Sequence, residues 1–149
     1  MPATSADAQA LMQLYDLRRE PEMRKARNWF GAEFNPTSAD EALALISDMR
    51  SDANRYFRMV TSYWEFAAGM VLHGALNEEM FLDTQGEMFF IFAKLSPFLP
   101  ALREKMQSPE AMGKTEKLIN KSDASKKKLH DFAQRIERMR AAFAAAGKK

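Results

Sequence analysis

Cysteine is missing from all 149 residues, which excludes disulfides, thiolate metal ligands and a cysteine nucleophile. Histidine is nearly missing: only His73 and His130 occur, and neither stands three residues after a glutamate. The Glu-x-x-His pairing that builds dinuclear metal sites in helical bundles is therefore absent. The six glycines are scattered singly, so no glycine-rich phosphate loop can be assembled. No apolar run reaches the roughly 18 residues of a membrane-spanning helix, because Glu65, Asn77 and Glu87 interrupt the candidates. The first 20 residues show no basic start leading into an apolar stretch, so no secretory signal is read there. Freedom from cysteine fits a reducing compartment, and a cytoplasmic protein without a transmembrane segment is the expectation. Alternating apolar and polar residues, the mark of a half-buried strand, are lacking too.

Hydrophobic residues make up 46% of the chain and charged residues 28%, ordinary values for one globular domain with a real core. The formal net charge of +2 hides an asymmetry. Residues 114–149 carry 11 Lys/Arg against 4 Asp/Glu, a balance of +7, and residues 1–113 carry the other 11 and 16, a balance of −5. An acidic body is followed by a basic C-terminal arm.

Helical periodicity runs through "ADAQALMQLYDLRR", with Leu11, Leu14, Tyr15 and Leu17 recurring on one side. Pro21 suits the first position of a second helix, where its missing N–H costs nothing. That helix should stop before Asn35, which precedes Pro36. Ser38 and Glu41 have capping-box spacing and open a third helix to about Arg50, with Leu43, Ile46 and Met49 as its buried stripe. A fourth helix, about Asp52 to His73, carries a wide apolar face from Tyr56 to Val71. "HGALNEE" reads as a turn, in which Gly74 ends one helix and Asn77 caps the next. The following helix includes "EMFFIFAKL", apolar nearly all round, and Pro100 beyond it calls for a kink or a short separate segment. Ser108 and Pro109 restart a helix that ends in "NKSDASKKK". The expectation is an all-α, single-domain bundle of five to seven helices around a central helical hairpin at residues 52–95. Residues 1–123 form the bundle, and 124–149 form a basic amphipathic helix packed on the bundle or on a second copy.

Few residues look chemical. Glu65 and His73 interrupt "SYWEFAAGMVLHGAL" eight residues apart, about 12 Å along a helix axis, too far to share one ion. No metal site and no cofactor is expected. Glu65 and Glu87 lie equally far from Leu76, so a hairpin turning there would set them at one level. If close and dry, such a pair would raise one carboxyl pKa, as acid–base chemistry requires. The plainer reading is that each is exposed or paired with a cation, Arg58 and Lys94 being the matching pair one level down. Glu65, Glu87 and His73 form the candidate polar site, and no residue is assigned a catalytic role. The second candidate is the seam Leu129, Phe132, Ile136, Met139 and Phe143, spaced by three and four residues. Lys126, Lys127, Lys128, Arg135, Arg138 and Arg140 flank it. Packing through that seam, onto the body, a protein partner or a second copy, is favoured over nucleic acid or anionic lipid, since no nucleic-acid fold signature accompanies the charge. The functional expectation is a non-enzymatic interaction module, with the basic helix as a phosphate or membrane binder and a Glu65/Glu87 enzyme as the alternatives.

The segments "LYDLRREPEMRKARNWF", "YFRMVTSYWEFAAGMVLHGAL" and "GEMFFIFAKLSPFLPALREKM" resemble, in that order, an uncharacterised family of bacterial all-helical proteins, a domain of unknown function. The resemblance spans about residues 10–112. It implies a bacterial, helical, intracellular domain and supplies no reaction, ligand or site residue.

Overall fold

Thr4 starts the first helix by accepting from the Asp7 backbone N–H, while the Asp7 carboxylate binds the Thr4 N–H in return. This closes two of the free donors that every helix start carries. The computed structural model describes residues 1–147, and its helices are α1 (Ser5–Arg18), α2 (Pro21–Ala32), α3 (Ala39–Ile46), α4 (Asp52–Leu72), α5 (Glu78–Thr84), α6 (Gly86–Leu95), α7 (Leu99–Lys105), α8 (Gly113–Asn120) and α9 (Asp123–Ala146). The chain is all-α, with nine helices and no strand among the described residues. Five to seven was an undercount. The predicted helix after Asn77 breaks at Gln85, whose backbone leaves helical geometry at φ −112°, ψ 61°. The stretch after Pro97 also forms its own helix, α7, with Pro100 in its first turn.

Several boundaries follow local chemistry. Pro21 is the first residue of α2, and the Glu20 carboxylate accepts from the N–H groups of Glu22 and Met23. Ser38 caps α3, accepting from Glu41 N–H, but the Glu41 carboxylate turns to Thr37 instead of closing the box on Ser38. The third helix ends at Ile46, short of Arg50, and the expected stripe residue Met49 is exposed. Ser51, capping α4 through Asn54 N–H, claims that stretch as a turn. Gly74, at φ +77°, takes the left-handed turn that ends α4, and Asn77 caps α5 through Met80 N–H.

The core is one continuous cluster. Trp29, Phe30 and Phe34 from α2 and its exit meet Phe57 of α4, with ring centroids 4.8 Å apart for Phe30–Phe34 and 6.2 Å for Phe30–Phe57. Trp64 is wholly buried and meets Phe81 edge-on. α4 packs most broadly on α2 and α8, and α6 packs on α9. Within residues 52–95 the direct pairing that stands out is α4 against the short α5. α9 lies along α6 and also touches α8.

Candidate polar site and C-terminal seam

The α8 helix begins without a cap of its own. Met112 precedes it in the left-handed region, at φ 56°, and offers no side-chain acceptor. Glu65, projecting from α4, supplies the missing group: its carboxylate accepts from Thr115 N–H at 2.8 Å and Lys114 N–H at 3.2 Å. A negative charge on those donors also complements the positive end of the helix dipole. Glu65 is thus a cap delivered from a neighbouring helix. Gly69, one turn further along α4, lets the Lys114 side chain lie close, 3.2 Å from where a Cβ would stand.

Glu87 has different partners. Its two oxygens accept from Arg27 Nε at 2.9 and 3.0 Å and from Arg27 Nη2 at 2.6 Å. Arg18 Nη1 stands 3.7 Å away. Planar carboxylate and guanidinium match in this forked arrangement, and the hydrogen bonds to Glu87 raise the Arg27 pKa. Arg27 also donates to the carbonyl of Arg18, so one side chain ties α1, α2 and α6 together. The two carboxylates of the sequence-level pair therefore share no partner. Neither Arg58 nor Lys94 answers them: Arg58 bonds Asn54, and Lys94 turns to main-chain carbonyls. His73 is exposed at the C-terminal cap of α4, its backbone N–H bonded to the Gly69 carbonyl. Among the described residues no three His, Asp or Glu side chains gather to hold a metal ion.

The seam divides in two. Leu129 and Phe132 pack against the core, Phe132 stacking on Phe89 of α6 at 6.2 Å and 13°. Ile136 is buried. Beyond it Met139 is 46% exposed and Phe143 71% exposed. The flanking cations are largely engaged close to home. Lys126 pairs with Asp123, Lys127 with Asp131 and Arg140 with Glu137. Lys128 donates to the Leu82 carbonyl and sits over the Phe89 ring, and Arg135 sits over Phe132.

Lys94, which the sequence offered with Arg58 as a cation to pair the two carboxylates, is the most unusual ionisable residue. It is 3% exposed in the last turn of apolar α6, and donates to the carbonyls of Phe30 at 2.7 Å and Gly31 at 3.1 Å. Those are last-turn carbonyls of α2, which a cation suits. Burial pushes its pKa down to about 8, and the charge of Arg140 adds to the shift. A lysine inside "FFIFAKL" was the available signal, since lysine is rarely buried without partners.

These features define an all-helical protein in which several polar residues brace one helix against another, and among the described residues no helix is long and apolar enough to cross a membrane. The chain belongs to the family described as a domain of unknown function (DUF4760), whose model matches residues 3–122. The match ends at Ser122, the cap of α9. No curated protein and no solved structure matches the chain.

Proposed function

We propose that this protein is a non-enzymatic interaction module that associates with a second copy of itself through the C-terminal half of α9. One observation carries the proposal: the apolar seam is closed on α6 as far as Ile136 and then continues, exposed, through Met139 and Phe143. Apolar side chains on a regular seam gain roughly 25 cal/mol per Å² when covered. Charge supports a second copy as the cover, because a +7 arm complements a −5 body. If each arm lies on the other copy's body, the contact closes on itself by twofold symmetry. Binding of nucleic acid or an anionic membrane surface along the basic helix is the less supported reading, because most cations of α9 already have partners within the chain. A Glu65/Glu87 enzyme is less supported again, since each carboxylate is occupied by separate structural donors.

The test uses point variants, because deleting residues 124–149 would also strip Phe132 and Ile136 from the body. Light scattering of the full chain should give a dimer mass that Met139→Ser/Phe143→Ser reduces to the monomer. A wild-type monomer at all concentrations, or a dimer that the double variant leaves intact, would overturn the proposal.

A further inference from the structure

Under the exposed half of α9 lies a cleft of about 450 Å³, bounded by the C-terminal end of α2, by α6 and by α9. Volumes of a few hundred Å³ are typical of small-molecule sites. Its walls are mainly apolar, with Phe90, Ile136, Met139 and Phe143 prominent, and no aspartate or glutamate lines it. Two cations do: Lys94 and Arg140. An ammonium has three N–H donors, and Lys94 spends two on the carbonyls of Phe30 and Gly31, leaving one. The Nε of Arg140 is buried and finds no acceptor among the described residues, although Nη1 reaches Glu137 at 3.3 Å on the outer side. Two cationic groups therefore border one apolar cleft: Lys94 with one unspent donor, and Arg140, whose Nε–H is buried without an acceptor. Buried charge without a counter-charge is costly; Lys94 has none among the described residues, and Glu137 meets Arg140 only at Nη1.

We propose that this cleft binds an aliphatic carboxylate, with its head on Lys94 and Arg140 and its chain along Phe90, Ile136, Met139 and Phe143. The Lys94 ammonium and the Arg140 Nε–H offer donors to a carboxylate head, and the apolar walls match a hydrocarbon chain in place of a sugar or a nucleotide. The proposal stands apart from self-association, although Met139 and Phe143 border both surfaces. A monomer that binds the ligand keeps this proposal and loses the other, and a dimer that does not bind it does the reverse.

Calorimetry of the full chain with decanoate, below the concentration at which it forms micelles, tests the inference. One decanoate should bind per chain, 1-decanol at least tenfold more weakly, and acetate not measurably. Lys94→Met and Arg140→Met should each weaken decanoate at least tenfold while leaving decanol unchanged. If Lys94→Met fails to fold, as judged by its circular dichroism melt, Arg140→Met at the rim carries the test. Equal binding of decanol and decanoate, indifference to the folded variants, or no binding would each overturn the proposal. Tighter binding of decyl phosphate than of decanoate would overturn the assignment of a carboxylate head.

Discussion

Glu87 is held by Arg27 in a forked, partly buried pair with Arg18 close by. Replacing it by glutamine removes the counter-charge while leaving both guanidiniums in place. Glu87→Gln is expected to cost about 2 kcal/mol, the usual scale for a hydrogen-bonded charge pair, as read by urea denaturation. An Arg27→Met/Glu87→Met double variant should recover only part of that loss, because Arg27 is then no longer stranded but Arg18 still lacks its carboxylate. Nothing near Glu87 in the sequence names Arg27, which lies 60 residues away on α2. The chain does show that a glutamate in an apolar helix needs a cation. It does not show which, since that depends on how α2 and α6 cross. Lys94 offers a second test at this scale. Its folded pKa of about 8 lies below the ordinary 10.5, so between those values the unfolded chain binds more protons and stability rises with pH. Compared with Lys94→Met, the wild type should gain stability as pH climbs from about 8 to 10.5, with no relative change below that window. A flat difference across the window would contradict the burial of that ammonium.

At the level of helices, α8 depends on a cap from α4. Glu65→Ala should destabilise the fold by about 1 kcal/mol, the scale of losing an N-cap. It should also speed amide exchange at Lys114 and Thr115 above all other positions in α8. Undisturbed exchange there would mean that Glu65 does not cap the helix. α9 divides in the same testable way. Ile136→Ala should cost about 2 kcal/mol as a core truncation, whereas Phe143→Ala should change the stability of the monomer by less than about 0.5 kcal/mol. Helix identity was legible where Pro21, Ser38 and Asn77 announce starts through local chemistry. The break at Gln85 was not, since its neighbours "FLDTQGEMFF" preserve a helical apolar pattern across it. Likewise the seam's spacing was visible, but the place where its cover stops depends on where α6 ends beneath it, a tertiary fact.

For the molecule as a whole, the charge gradient survives the ion pairs inside α9, because those pairs join residues of the same basic region and leave its balance at +7. An acidic body and a basic arm in one chain favour contacts between copies that weaken as salt screens them. Glu65 and Glu87, by contrast, have separate partners, one capping α8 and the other paired with the arginine that ties α1, α2 and α6. Sedimentation equilibrium of the wild-type chain at low and high ionic strength examines the exposed seam and the charge gradient together. A dimer at low salt that shifts toward monomer at high salt is the expected result. A monomer under both conditions would mean that the exposed end of α9 does not join two copies.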